Sequence, residues 1–381
     1  MTKAPAILRN TDILLCPGPV MLSPGVKAAL AQCEIGHRDT VFADLLARLR
    51  INCRQIFGSG DEHSIVFIGG PATSAIESVC ASLIAPEASV IVPVNGTFSA
   101  RIVEILKAQR IRHTPIDFGF GQPFELGRIE TFARAEKSRG PVVVAMTHHE
   151  TSAGLLNPVS AIGEIARRLD LTLIVDATSS AGVEDLDVTR DGIAACITTS
   201  GKCLHGPPGL SLVCARRDLL ESTRALPPRT YSLDLQRFHA QIERNGQTPF
   251  TAPVPLVVAL DRAVTELLEG GVKERHRVYS HRRAMLAAGV RRLGLPLFQL
   301  PPGSESTSIL TVGVPPELSF DALYAAVKER GFLIYGCKAP LAPHYFQAAV
   351  MGDLSDDDLA RFLEVLRSLT AVPDRYQAAT A

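Results

Sequence analysis

Between residues 64 and 215 the chain alternates short, continuous apolar runs with stretches whose apolar positions recur at helical spacing. The apolar runs cover 64–68, 90–94, 142–147, 173–175, 195–198 and 210–214, and each has the length of a strand. Helical patterns fill 74–85, 98–109 and 161–169 between them. This alternation predicts an α/β domain with a largely parallel sheet. In such sheets a ligand sits at the carboxyl ends of the strands. Glycines and polar residues collect at those ends: Gly69-Gly70-Pro71-Ala72-Thr73 before a helix, Asn95-Gly96-Thr97 before the next, then Glu150-Thr151-Ser152 and Asp176.

A proline-rich stretch at 226–229 breaks the pattern, and Pro249, Pro253 and Pro255 precede a long predicted helix over 256–268. Past Gly270-Gly271 a further helix follows, then strands near 308–312 and 333–335 and helices over 320–330 and 355–369. That second part reads as a smaller α/β unit. The expected division is therefore 1–255, an N-terminal segment with the large domain, and 256–381, a connecting helix with the small C-terminal domain. No internal repeat or low-complexity segment interrupts either part.

Composition narrows the functional classes. The 381 residues are 46% hydrophobic and 20% charged, as a globular protein requires, and 39 basic residues balance 39 acidic ones. A chain without net charge has no long-range field to draw nucleic acid or an anionic membrane, so small-molecule chemistry is the expectation, with neither as a partner. Met1-Thr2-Lys3-Ala4-Pro5 lacks the apolar core of a secretory signal, and no uninterrupted apolar segment approaches the roughly 20 residues of a spanning helix. A cytoplasmic protein is expected. Eight cysteines without a CxxC pair argue against structural zinc or a disulfide framework, and no metal site is expected. Cys203, next to Lys202, reads either as small core filler or as a reactive thiol.

The chemistry lies in Asp176, which ends an apolar run, and Lys202, in Thr198-Thr199-Ser200-Gly201-Lys202-Cys203-Leu204-His205-Gly206. A lysine amine can join the aldehyde of pyridoxal 5'-phosphate (PLP) as an imine. A carboxylate at the end of a buried strand can keep the pyridine nitrogen protonated, so that the ring accepts electrons from the substrate carbon. Either residue alone reads as an ordinary cap or a surface charge. Their spacing and surroundings make the pair informative.

Taken together, the segments resemble the class V (fold type I) PLP-dependent aminotransferases, and most closely the 2-aminoethylphosphonate–pyruvate transaminases among them. The matching segments run nearly end to end: Leu14-Leu15-Cys16-Pro17-Gly18-Pro19, Val94-Asn95-Gly96-Thr97-Phe98-Ser99-Ala100-Arg101, His149-Glu150-Thr151-Ser152-Ala153-Gly154, Val175-Asp176-Ala177-Thr178 and Phe250-Thr251-Ala252-Pro253. The resemblance implies a seven-stranded type of mostly parallel sheet, PLP as cofactor, and an amine and a keto acid as substrates. It implies that Ala72 and Thr73 hold the cofactor phosphate at a helix start, and that Phe98 stacks on the ring. Thr151 and Ser152 would approach the ring oxygen and the substrate, Asp176 the ring nitrogen, and Lys202 the aldehyde. Thr251 would reach the phosphate bound by a neighbouring subunit, so a homodimer with shared active sites is implied.

Two departures stand out. The family carries Asn or Gln before the lysine to support the phosphate pocket, whereas this chain has Gly201. It also carries an arginine near the C-terminus that clamps the anionic group of the substrate, where this chain has Gln347 in Tyr345-Phe346-Gln347-Ala348-Ala349. A neutral amide cannot reproduce the charge and fork geometry of a guanidinium. Arg38, Lys338 or His344 could supply the missing cation, and each also reads as a surface or turn residue. Three functions remain open on the sequence: a transaminase acting on 2-aminoethylphosphonate with pyruvate as acceptor, a PLP-dependent lyase or decarboxylase on a related amine, and a non-catalytic PLP-binding protein.

Overall fold

The computed structural model describes residues 12–31 and 34–370. Seven strands form one mixed sheet, in the spatial order His63–Gly69, Leu210–Arg216, Ala195–Thr199, Thr172–Asp176, Val142–Thr147, Ser89–Val94 and His113–Asp117. Neighbours are parallel throughout except at Leu210–Arg216, which runs antiparallel to both strands beside it. The predicted architecture is present.

Successive side chains on these strands enter two different cores. Ile65, Phe67, Val144, Met146, Leu173 and Val175 pack under the helices Thr40–Phe57, Leu126–Lys137, Val159–Leu169 and Val254–Gly270. Val66, Ile68, Val143, Ala145 and Ile174 pack under Ala72–Leu83, Thr97–Ala108 and Leu235–Asn245. Burial on both faces is why these strands read as unbroken apolar runs. His113–Asp117, at the edge of the sheet, is buried only at Ile116 and carries no such run.

A third core belongs to a smaller layered unit. Its antiparallel sheet has the order Ile309–Gly313, Tyr345–Ala349, Tyr335–Gly336. The helices Val272–Arg292, Phe320–Glu329 and Asp356–Thr370 cover it. Ile13–Leu14 pairs in parallel with Phe332–Leu333, and Leu15 and Val20 are buried in the same core. The N-terminal segment thus packs with the C-terminal unit, and this pairing crosses the expected division at 255/256. Among the described residues no helix is long and apolar enough to cross a membrane.

Close packing beneath the site leaves no slack at Gly163, on the Val159–Leu169 helix. A Cβ there would stand 1.9 Å from the carbonyl oxygen of Asp191. Asp191 is itself held by Ser160 Oγ at 2.8 Å and by the amide of Asp187 at 3.0 Å, so the turn cannot retreat freely. Gly163→Ala is expected to cost about 3 kcal/mol or more. Gly127→Ala, with nothing within 4 Å of the added carbon, is expected to gain up to about 1 kcal/mol from helix propensity. Urea midpoints of the two variants against the parent check both.

Candidate active site

Because Leu210–Arg216 returns antiparallel to Ala195–Thr199, residues 200–209 form a loop at the end of the sheet where Asp176 closes Thr172–Asp176. Backbone bonds fix that loop: Ser200 N donates to Leu210 O at 2.9 Å, Gly206 N to Ser200 O at 2.8 Å and His205 N to Lys202 O at 3.0 Å. The smaller unit grips it from outside. Arg275 Nη1 donates to Cys203 O at 2.6 Å, and Gly352 N donates to His205 Nε2 at 3.1 Å. Above the loop lies the Cys16-Pro17-Gly18-Pro19 segment, where Pro17 O accepts a hydrogen bond from Lys202 Nζ. Gly18 has φ 107°, and a Cβ there would lie 2.7–2.9 Å from the last three atoms of the lysine side chain. Only glycine suits both that conformation and that approach.

Lys202 and Asp176 share a cavity of about 400 Å³ with Ala72, Thr73, Phe98 and Thr151, within the size range of small-ligand sites. Burial pushes the Asp176 carboxyl up, against two bonds from the Thr178 amide and hydroxyl and the nearby charge of Arg101. Both Thr178 bonds fall on Oδ1, which leaves Oδ2 for a donor in the cavity. A buried carboxylate with one open oxygen fits a protonated ring nitrogen, since the arriving cation relieves the desolvation. Burial also lowers the Lys202 amine, and Arg101 adds to the lowering against the opposing influence of Cys203, Cys16 and Asp176.

The remaining wall comes from two helix starts. Ala72–Leu83 has Pro71 at its N-cap and no side chain accepting from its first turn, so the Ala72 and Thr73 amides are open to an anion. Thr97–Ala108 is closed by Glu150, whose oxygens accept from Phe98 N at 3.1 Å and Ser99 N at 2.8 Å. That carboxylate aims the helix carrying Phe98 and Arg101, which both line the cavity. Arg101 lies 4.7 Å from the Phe98 ring centroid and donates to Thr73 Oγ1 at 3.3 Å.

His149 reaches the cavity from the loop after Val142–Thr147. Its Nδ1 donates to Ser179 O at 3.0 Å, which makes Nε2 an acceptor, and Nε2 is buried without a partner. Thr147 Oγ1, also buried on the cavity wall, has none either.

The other expected residues lie elsewhere. Ser152 sits behind the wall, with Oγ donating to Glu150 Oε1 at 2.5 Å and accepting from Thr97 N at 3.0 Å. Gln347 is buried in Tyr345–Ala349, and its Nε2 donates to Thr151 O at 2.5 Å. Arg38 is exposed and donates to Thr248 O at 2.5 Å and Pro249 O at 3.3 Å. His344 is exposed, away from the cavity lining. Lys338 is exposed, yet its Nζ stands 5.8 Å from the Phe98 ring centroid. Thr251 is exposed and lines a separate hollow of about 230 Å³ with Phe250 and Pro253. Arg101, Glu150 and His149 were not picked out from the sequence, although each stands inside a matching segment.

An amine that could take an aldehyde, a carboxylate with an open oxygen, an aromatic face and an open helix start gather in one cavity, a set of groups that fits PLP on this α/β fold. The family model for aminotransferase class-V matches residues 26–335. A 2-aminoethylphosphonate–pyruvate transaminase of Burkholderia mallei (strain SAVP1) is 35% identical over 350 residues, 91% of this chain and 93% of its own. Among solved structures, ureidoglycine-glyoxylate aminotransferase of Bacillus subtilis superposes with a TM-score of 0.88 at 26% identity, covering 96% of this chain and 94% of that one. Alanine–glyoxylate aminotransferase of Nostoc sp. shares the fold at a TM-score of 0.90 and 22% identity, covering 97% and 98%. The chain belongs to the class V aminotransferases and is a PLP-dependent transferase.

Buried histidines held neutral by the fold, His148 and His149 under the site among them, make the protein acid-sensitive. Burial pushes His148 down to about 3 and His149 down to about 4, from the usual 6.5. Below pH 6.5 the unfolded chain takes up protons that the fold refuses, so stability falls as the pH drops towards those values. From about pH 6.5 to 5.5 the pair should cost about 2 kcal/mol. His149→Gln is expected to remove about 1 kcal/mol of the drop, as read from urea unfolding at the two pH values.

Proposed function

We propose that the protein moves an amino group from a small amine with an anionic head to a keto acid, with 2-aminoethylphosphonate as donor and pyruvate as acceptor. The observation that carries the anionic specificity is Lys338. Of the three cations considered as substitutes for the family's arginine, it alone stands beside a cavity-lining ring, 5.8 Å from Phe98. Arg38 is committed to backbone carbonyls, and Gln347 to Thr151. The similarity to transaminases of that name supports the same donor and acceptor.

Bound PLP supplies an electron sink for the bonds at the amine-bearing carbon. Asp176, oriented by Thr178, keeps the ring nitrogen cationic. Lys202, its basicity lowered by burial, presents a larger neutral fraction at working pH; it would hold the cofactor aldehyde and, once a substrate amine takes its place there and frees it, would carry the proton from the substrate carbon. Pro17 O and Gly18 hold that amine at the mouth of the loop. Thr151 O, pinned by Gln347, fixes the wall against which the substrate lies.

The same reading pairs two copies of the chain. Thr251 lies outside its own cavity, in an exposed hollow edged by apolar residues, as a group serving a partner's cofactor would. Thr251→Glu and Lys202→Ala variants, each inactive alone, are expected to recover roughly a quarter of the activity when mixed, because each hybrid dimer holds one intact site. No recovery on mixing would remove the shared site.

Alanine formation from 2-aminoethylphosphonate and pyruvate tests the reaction, while ammonia or carbon dioxide released from the amine alone would turn the assignment to a lyase or decarboxylase. Lys338→Ala is expected to raise KM for the phosphonate about five- to tenfold and leave kcat within about twofold, from loss of a charge-assisted contact. An unchanged KM would take Lys338 out of the substrate site.

A further inference from the structure

Position 201 lacks the polar side chain that its relatives use near the cofactor phosphate, and the structure gives the steric reason. Gly201 is outside the left-handed region, so its backbone does not call for glycine. A Cβ there would meet Pro208, with Cα at 3.0 Å, Cβ at 3.1 Å and N at 3.3 Å. These are ring and backbone atoms of a loop already tied down at Ser200 and Leu210, so they cannot swing aside as a flexible side chain would. Pro208 itself lines the cavity, in the space an Asn or Gln at 201 would need.

A phosphate bound at the Ala72–Leu83 helix start would still carry close to two negative charges. Two open amides and the Thr73 hydroxyl offer partial charges only. Among the described residues, Arg101 is the cation bonded to that corner: its Nη1 donates to Thr73 Oγ1 at 3.3 Å and its guanidinium lies over Phe98 at 4.7 Å from the ring centroid. Among the described residues no carboxylate forms an ion pair with it, so its fork is available to an anion.

We propose that Arg101 is the cation of the cofactor-phosphate seat, holding the phosphate with Ala72 and Thr73, while Pro208 crowds any side chain at position 201. Its stacking on Phe98 restricts the guanidinium to the plane from which it reaches Thr73, so the same contact orients the ring face and the phosphate end. The assignment concerns cofactor binding and stands apart from the choice of substrate.

The test compares PLP with pyridoxal, which lacks the phosphate, on the full-length protein stripped of cofactor, with no amine or keto acid added. Binding is followed by the absorbance change as the aldehyde attaches to Lys202, and borohydride fixation confirms the attachment. Arg101→Gln is expected to weaken PLP by about tenfold or more and to change pyridoxal by less than about threefold. Arg101→Lys, which keeps the charge but loses the fork, should recover part of the loss. A similar loss for both aldehydes would assign Arg101 to packing against Phe98 and overturn the proposal, as would no loss for either. Gly201→Asn should lower the urea midpoint and leave PLP binding no tighter. If Gly201→Asn restored PLP affinity to Arg101→Gln, the exclusion by Pro208 would be refuted.

Discussion

One reversed strand decides whether this sheet can do chemistry. Asp176 ends a parallel strand, and Lys202 must come to the same end of the sheet. Had Leu210–Arg216 been parallel to Ala195–Thr199, the segment between them would have had to cross the whole sheet before the next strand began, which takes a dozen or more residues and leads away from the site. Running antiparallel, it lets residues 200–209 stay at the carboxyl edge, with Lys202 in the loop and Pro208 and Gly209 bounding the cavity. The backbone bonds around Ser200 and Leu210 therefore matter to the site as directly as its side chains, because they hold Lys202 in the cavity that Asp176 lines.

The two helix starts at the cavity use one electrostatic effect in opposite ways. At Thr97–Ala108 the first-turn amides are satisfied by Glu150, and the helix becomes a fixed mount for Phe98 and Arg101. At Ala72–Leu83 the proline N-cap provides no acceptor, and the amides stay available. A carboxylate at the second start would compete with a phosphate for the same donors; at the first, it stops the helix from attracting an anion to the wrong place. The burial that lowers Lys202 raises Asp176, so both groups gain from a ligand that brings an aldehyde to one and a cation to the other.

The fold was legible where burial leaves a signature along the chain. Strands covered on both faces, such as Val142–Thr147, give unbroken apolar runs, while the edge strand His113–Asp117 gives none. Tyr345–Ala349 went unread as a strand because five residues with a central glutamine match no simple period, although the strand lies in the middle of its sheet. Lys202 and Asp176 stand out in the sequence because their residue types are rare at that spacing, and the structure brings both to one cavity. Arg101 and Glu150 do not stand out, since an arginine one turn into an amphipathic helix looks the same facing solvent or a cavity. What directs Arg101 inward is the angle between helix and sheet, and what directs Glu150 is its place on the short strand His149–Glu150; no local pattern encodes either. The resemblance pointed to 347 as the anion clamp, and the register of a small sheet turned that residue to another task.

That register bears on how an anionic substrate can be held without the arginine. Gln347 pairs across the sheet with Tyr335, and its amide is spent on Thr151 O, so it steadies the cavity wall and leaves no charge there. Lys338 follows two residues beyond the neighbouring Tyr335–Gly336 strand. Residue 335 stands opposite 347, so Lys338 is set off by one strand spacing and about three residues along the strand, roughly 11 Å in the backbone, and its ammonium lies on the Phe98 side of the cavity rather than over residue 347. Wall and charge are therefore separate tasks here: the side chain at 347 holds Thr151 O, and a cation that meets an anionic group must come from another element.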